Sequence, residues 1–227
     1  MMKKIFFLTV VMVLVISIAV SAAEYSDGHY VGFVAGSHDD TVVEVGIFGG
    51  NIVEVNIISP IKLEFAYEYE EGIKAFKEYP AKVLSNQNTD IDVVAGATSS
   101  YKTYNEAVQM ALDIASGNYK GSKFYGLAKN FAHGHVLVEV TTDGKDVSEV
   151  KFITNDDGQD RATIMEPKTA SYPSKPAREF FNTFGEKAVE AANAGTYEVD
   201  LISGATHSFH EYNAALRDAL EQAGFDI

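Results

Sequence analysis

The order of apolar and polar positions along the chain predicts two β-hairpins of the same design. Their strands are Thr41–Phe48 with residues 52–58, and Val136–Thr142 with Val147–Ile153. Both pairs are rich in β-branched side chains, and each pair is joined by a short turn that contains glycine. Runs of this kind around such a turn are typical of antiparallel hairpins.

Helical spacing of apolar residues follows each hairpin, at residues 73–84 and 177–192. A second amphipathic helix is predicted further along each half, just after Thr98 and just after Thr206, because apolar residues recur there three and four positions apart. The segment Ser208-Phe209-His210-Glu211 matches a capping box, which predicts that Thr206 lies at or just before a helix N-terminus. These elements predict an α+β fold.

The two hairpins belong to an internal repeat. Asp92-Val93-Val94-Ala95-Gly96-Ala97-Thr98 recurs 108 residues later as Asp200-Leu201-Ile202-Ser203-Gly204-Ala205-Thr206. The hairpins themselves recur at an offset of 95, which predicts a 13-residue insertion in the second copy, within residues 156–176. We therefore predict two tandem small domains, residues 24–121 and 122–227, each an antiparallel sheet with covering helices. Each has about 100 residues, enough to bury a core of its own and fold separately.

Residues 1–23 have the order of a secretory signal peptide. Met1-Met2-Lys3-Lys4 is followed by a 16-residue run that is apolar except for Thr9 and Ser17, and then by Ser21-Ala22-Ala23. Cleavage is predicted after Ala22 or Ala23. Sixteen helical residues reach about 24 Å, less than the roughly 30 Å of a hydrocarbon core, which favours cleavage, and an uncleaved N-terminal anchor is the alternative. Both interpretations predict an extracytoplasmic protein, secreted or at the cell surface.

Composition excludes several kinds of site. The chain has no cysteine, which excludes disulfides, iron–sulfur clusters, thiolate zinc sites, a lipid-modified cysteine and flavins bound through sulfur. The formal net charge is −14, and loss of Lys3 and Lys4 with the leader makes it −16. Such a surface repels phosphate backbones, so no nucleic-acid partner is expected.

The pattern Asp-x-x-[Ala/Ser]-Gly-Ala-Thr at a strand-to-helix junction resembles the FMN-binding domain of sodium-translocating quinone reductase subunits and of exported flavoproteins in extracellular electron transfer. The resemblance covers both repeats. It implies that a flavin transferase takes FMN from FAD and esterifies its phosphate to Thr98 and to Thr206. It also implies further cofactor-binding and recognition residues, namely Asp92, Gly96 and Ala97 in the first copy and Asp200, Ser203, Gly204 and Ala205 in the second. The family often has serine or threonine where the first copy has Ala95.

The chemistry of these residue types agrees with a phosphate site. A helix N-terminus leaves backbone N–H groups unpaired and carries a partial positive charge, which stabilises a phosphate without lysine or arginine. Glycine permits a positive φ and a close backbone approach. A single copy of the motif also fits a plain turn with a threonine N-cap, and only the repetition argues against that interpretation.

Other residues are weaker candidates. Tyr101 and Phe209, three positions after each threonine, are candidate contacts for a flavin ring. His133 and His135 share one face of a predicted strand, but no cysteine or carboxylate nearby completes a ligand set, so no metal site is predicted.

The leading functional hypothesis is an electron-transfer protein with two covalent FMN groups, reduced by a membrane redox protein, rather than an enzyme with its own substrate. Two alternatives remain open at this point. One is a flavin-dependent reductase of an extracellular organic acceptor, and the other is a surface binding module that carries no flavin.

Overall fold

The computed structural model describes residues 25–36, 39–63, 67–130, 132–155 and 164–227. The predicted signal peptide, residues 1–23, lies outside these ranges. Within them, none of the helices combines the length and the apolar character needed to cross a lipid bilayer.

Each half of the chain forms one antiparallel three-stranded sheet and two helices, which confirms the predicted α+β class and the repeat. The first half contains β1 (Gly28–Val34), β2 (Thr41–Phe48), β3 (Asn51–Ser59), α1 (Glu70–Asn86) and α2 (Thr98–Ala115). The second half contains β4 (Lys123–Ala128), β5 (Val136–Thr142), β6 (Val147–Ile153), α3 (Lys175–Asn193) and α4 (Thr206–Gln222). The strands follow chain order in both sheets, so β2 and β5 are the central strands.

The hairpins β2–β3 and β5–β6 are as predicted, whereas the first strand of each sheet was missed. β1 and β4 carry glycines at matching places, Gly32 and Gly126. A Cβ on Gly32 would lie 1.7 Å from the carbonyl oxygen of Ala107, and one on Gly126 would lie 1.9 Å from that of Ala215. Glycine is therefore required where helix and strand touch, and it interrupts the apolar pattern that would have revealed the strand.

Each half has its own core between its sheet and its helices. Alternate residues of the central strands enter these cores: Val43, Val45 and Ile47 in the first, and Val136, Val138 and Val140 in the second. Buried aromatic residues of the helices fill the rest, with Tyr79 against Tyr104 and Phe180 against Tyr212. Burial of such side chains contributes about 1.5–3 kcal/mol each.

A third buried cluster lies between the halves. It contains Val31, Val42 and Ile58 from the first half and Tyr125, Leu137 and Ile164 from the second. Gln222 in the last turn of α4 connects two strands at its border. Its Oε1 accepts from the amide of Val31 at 2.9 Å, and its Nε2 donates to the carbonyl of Tyr125 at 2.8 Å. The halves thus share buried contacts, and their separate folding stays a prediction.

The predicted insertion lies between β6 and α3. Residues 156–163 fall outside the described ranges, and residues 165–174 form neither helix nor strand. Ile164 makes an isolated bridge to His135, and Ser174 caps α3 by accepting from the amide of Ala177 at 3.3 Å.

Candidate functional site

Both motif threonines begin a helix. Thr98 is the first residue of α2 and Thr206 the first residue of α4, and both side chains are exposed. The residues before them, Ala97 and Ala205, occupy the N-cap position and offer no capping side chain. In the described chain, the amides of the first three residues of either helix donate no hydrogen bond. Each threonine hydroxyl therefore lies beside unpaired N–H donors at the positive end of a helix.

The predicted capping box is wrong. Ser208 is the third residue of α4 and is buried, so it does not hold the N-cap position from which it could bond the amide three residues later. Alanine at the cap is a poor choice for helix stability. An open helix start in both repeats leaves the amides free for a group that does not belong to the protein.

Glycine shapes the chain just before each helix. Gly96 and Gly204 both have φ 87°, a region that favours glycine. A Cβ on Gly96 would lie 2.9 Å from the Cγ of Glu71, and one on Gly204 would lie 3.1 Å from the Cγ of Pro176. The motif turn thus packs closely against the N-terminal turn of the preceding helix in both copies, while Ala97 and Ala205 are buried beneath it.

The motif aspartates, Asp92 and Asp200, are exposed in matching surroundings. A cleft of about 530 Å³ lies beside Asp92 and one of about 720 Å³ beside Asp200. A lysine of the preceding helix lines each cleft, Lys82 in the first half and Lys187 in the second. Lys82 Nζ donates to the carbonyl of Asp92 at 2.9 Å and to the Tyr101 hydroxyl at 3.0 Å. That Tyr101 bond raises the pKa of Lys82. Both carboxylates are thus available to another molecule.

The remaining predicted residues have mixed positions. Ser203 and its counterpart Ala95 are both exposed. Tyr101 is buried in the first core, edge-on to Tyr79 with ring centroids 5.6 Å apart, and its hydroxyl accepts from Lys82 Nζ. Phe209 is partly buried and packs against the second core.

Two lysines that the sequence analysis missed occupy matching places near the helix starts. Lys62 Nζ lies 4.9 Å from the ring centre of Tyr67 and 5.7 Å from that of Tyr104. Lys168 Nζ lies 4.5 Å from the ring centre of Tyr172 and 5.8 Å from that of Tyr212. The hydroxyl groups of Tyr104 and Tyr212 are buried, and that of Tyr104 has no hydrogen-bond partner among the described residues. The sequence does hold a signal for these lysines, because Lys62 and its two tyrosines recur in the second copy at offsets of 105–108.

One group of possible metal ligands exists among the described residues. His29, Glu44 and Glu54 bring ligand atoms within 4.8 Å of one another. Glu44 is already bound by Lys129 at 2.6 Å and by the side-chain amide of Asn56 at 2.9 Å. The ammonium group neutralises the buried carboxylate, so we assign this cluster to the contact between the halves. His135, considered above for a metal, accepts from the amide of Asn130 at 2.8 Å.

Comparison with known proteins agrees with this geometry. The family model of the FMN-binding domain matches residues 36–113 and 132–221, one segment in each half. A curated relative, the NADH:acrylate oxidoreductase of Vibrio harveyi, is 29% identical over 97 residues, which is 42% of this chain and 9% of that protein. The chain thus aligns with less than a tenth of that relative's length. No solved structure matches the chain. The chain belongs to the FMN-binding domain family and is a flavoprotein with two copies of the domain.

Proposed function

We propose that this chain is an extracytoplasmic electron-transfer protein in which FMN is esterified through its phosphate to Thr98 and to Thr206. One observation carries the proposal: in both repeats an exposed threonine hydroxyl lies at an uncapped helix start. A structural threonine N-cap would turn its oxygen to the helix amides, whereas Thr98 and Thr206 lie one position further on, at the first helical residue. The repetition makes a chance arrangement an unsatisfactory explanation.

The residues present fit FMN. The open amides of residues 98–100 and 206–208 supply the N–H donors that a phosphate requires, and the helix dipole favours its negative charge. The glycine turn before each threonine leaves no Cβ between the attachment point and the preceding helix. The buried hydroxyl of Tyr104 has no hydrogen-bond partner among the described residues, so the first half holds a polar group that its own side chains leave unsatisfied.

When bound, FMN supplies the capacity to accept and donate electrons, and the protein holds it in place. The ester bond prevents loss of the group from a protein outside the cytoplasm. The amides of the first turn hold the phosphate, and the exposed Asp92 and Asp200 give a flavin transferase a carboxylate to recognise beside each threonine. We further propose that a membrane redox protein reduces the chain.

Intact mass after co-expression with a flavin transferase, with export, tests the proposal. Wild-type protein is expected to gain two increments of FMN less water. Thr98→Val and Thr206→Val should each remove one increment, and the double variant should remove both. Ser99→Ala is the matched control, since it removes an exposed hydroxyl from the same helical turn and should leave both increments. Colourless wild-type protein of unmodified mass would support the flavin-free binding module instead.

The match to an NADH:acrylate oxidoreductase favours a second candidate, a flavin-dependent reductase of an organic acceptor. Anaerobic reoxidation of the chemically reduced protein separates the two. An electron carrier is expected to be oxidised by ferricyanide and not by acrylate. Oxidation by acrylate at a rate that saturates with acrylate concentration would instead show a substrate site.

A further inference from the structure

Lys62 lies in an unusual electrostatic setting. The residue is only 9% exposed, and its Nζ donates to the buried hydroxyl of Ser100 at 2.8 Å. Among the described residues, no carboxylate lies within 4.0 Å of this ammonium group. Burial lowers the pKa of Lys62, and the more distant Asp39 opposes this effect only in part. A buried cation without a paired anion is costly, so its retention here requires a reason.

The position of Ser100 places this ammonium group near the start of α2. Ser100 is the third residue of the helix, and its side chain lies on the face opposite the exposed side of the first turn. Lys62 therefore adds a full positive charge to a helix end that already carries a partial one. Within the protein alone, these charges repel. An anion bound at the helix start would be attracted both by the Lys62 ammonium group and by the helix dipole, so both charges would then be stabilising.

Tyr104 points to the same place. It follows Ser100 by four positions, so the two side chains are neighbours on one face of α2, and a helical side chain leans toward the N-terminus. The Tyr104 side chain is completely buried and its hydroxyl has no partner. A buried hydroxyl without a hydrogen bond costs about 1–3 kcal/mol, so Tyr104 adds an unused donor beside the Lys62 ammonium group, which has no paired carboxylate among the described residues.

The second half repeats the arrangement at the start of α4. Lys168 faces the rings of Tyr172 and Tyr212, as Lys62 faces those of Tyr67 and Tyr104. Tyr212 follows the buried Ser208 by four positions, and the Ser208 side chain lies against its hydroxyl, which lowers the pKa of Tyr212 against the larger effect of burial. Lys168 is less buried than Lys62, and among the described residues it too has no carboxylate within 4.0 Å. Both halves thus place a lysine over the rings of two tyrosines, whereas the lysine–serine bond belongs to the first half and Lys168 Nζ donates instead to the Tyr172 hydroxyl at 3.5 Å.

We propose that Lys62 and Lys168 bind an anionic oxygen of the FMN group attached at the same helix start, with the Tyr104 and Tyr212 hydroxyls as additional donors. This inference rests on the proposed function. Two parts of FMN offer such an oxygen. One is the phosphate diester, and the other is the edge of the flavin ring that gains negative charge on reduction. Both need the same partner, a positive charge shielded from water.

The experiment uses the full chain with Thr206→Val, so that the only flavin is the one on Thr98. Lys62→Met removes the charge and keeps the length of the side chain, and Lys62→Arg restores the charge. Lys102→Met is the matched control, because Lys102 lies on the same helix with its side chain 74% exposed. Three quantities are measured: the fraction labelled, by intact mass; the midpoint potential, by spectroelectrochemistry; and the ³¹P chemical shift of the diester.

If the ring supplies the oxygen, Lys62→Met should lower the ratio of reduced to oxidised flavin at a fixed potential at least tenfold. That change corresponds to about 30 mV for a two-electron couple. If the phosphate supplies it, the potential should stay constant while the ³¹P shift moves and labelling falls at least tenfold under limiting transferase. In both cases Lys62→Arg should restore much of the effect, and Lys102→Met should have little.

Labelled Lys62→Met protein with unchanged potential, ³¹P shift and labelling would overturn this inference and leave the proposed function intact. Wild-type protein without any flavin would overturn both. Circular dichroism shows whether each variant is folded. Should Lys62→Met fail to fold, Lys168→Met with Thr98→Val makes the same test at the less buried lysine, where the same shifts are expected to be smaller.

Discussion

The carboxylate of Asp218 in α4 accepts a hydrogen bond of 2.7 Å from the backbone amide of Leu127 in β4. Asp218 is partly buried, and this burial raises its pKa to about 6 even though the bonds from Leu127 and Gln222 act in the opposite direction. Glu44 and Glu221 contribute to the increase. The Asp218 carboxylate thus pairs with the backbone of an edge strand, although its ionised form is less stable there than in water.

This relationship predicts how stability depends on pH. An unfolded aspartate ionises near pH 4, so between about pH 6 and pH 4 the folded chain binds a proton that the unfolded chain does not. Asp218 therefore lowers the stability above pH 6, and this cost disappears as the pH falls to 4. Asp218→Asn keeps an acceptor for Leu127 and should raise the free energy of unfolding by about 1–2 kcal/mol at pH 8. Urea titrations at pH 8 and at pH 4.5 measure it, and an equal effect at both would contradict the assignment.

The glycine turns give a second prediction. Gly204→Ala places a Cβ at a positive φ and 3.1 Å from Pro176, and it should lower stability by more than the roughly 1 kcal/mol that the backbone conformation alone costs. Gly224→Ala is the control, because Gly224 has φ 86° and a Cβ added there would enter open space. Thermal melts compare the two variants, and intact mass should show less flavin on Thr206 only for Gly204→Ala. Equal loss of stability in both variants would show that contact with Pro176 is unimportant.

The motif aspartates should matter for labelling and not for folding. Asp92→Ala keeps the carbonyl that Lys82 contacts and removes an exposed carboxylate for which the described residues provide no hydrogen-bond donor. We expect an unchanged melting temperature and loss of flavin from Thr98, with Asp200→Ala acting likewise on Thr206. Asp90→Ala, which removes an exposed carboxylate two residues earlier, should leave labelling unchanged. A destabilised Asp92→Ala protein with normal labelling would instead make the aspartate a structural turn residue.

The shared cluster determines what separation of the halves should do. Residues 24–121 alone would expose Val31, Val42 and Ile58 and would lose the acceptor for the Val31 amide. We expect this fragment to fold, because it retains its own core, but to melt at a lower temperature than the full chain and to self-associate in sedimentation velocity runs. Gln222→Ala in the full chain should cost about 1–3 kcal/mol, since it leaves the Val31 amide unsatisfied. A fragment as stable as the whole protein would show that the cluster contributes little.

The sequence was informative where a feature is local. The hairpins follow from alternation and glycine turns, and the attachment threonines follow from a motif that occurs twice. β1 and β4 could not be found in this way, because Gly32 and Gly126 serve contacts with helices about 75 and 89 residues away. The helix starts were predicted correctly at Thr98 and Thr206, but the cap was not: Ser208 has the spacing of a cap, whereas tertiary packing buries it beside Tyr212. Lys62 and Lys168 lie where the copies differ in length, so their offset of 106 departs from both 95 and 108, and the fold is what shows that they occupy matching places.

The bridge made by Gln222 also has a consequence for the order in which the molecule is assembled. The amide of Val31 is made early in synthesis, and its partner is made 191 residues later. Until α4 is complete, the edge of β1 has an unsatisfied donor and the first half is unfinished, although every residue of its own core is present. The hydrogen bonds of Gln222 to Val31 and Tyr125 can therefore form only after the last turn of α4 has been made. A chain that stops just short of residue 222 would keep both attachment motifs and the shared buried cluster, and would lack these two hydrogen bonds between the edge strands of the halves.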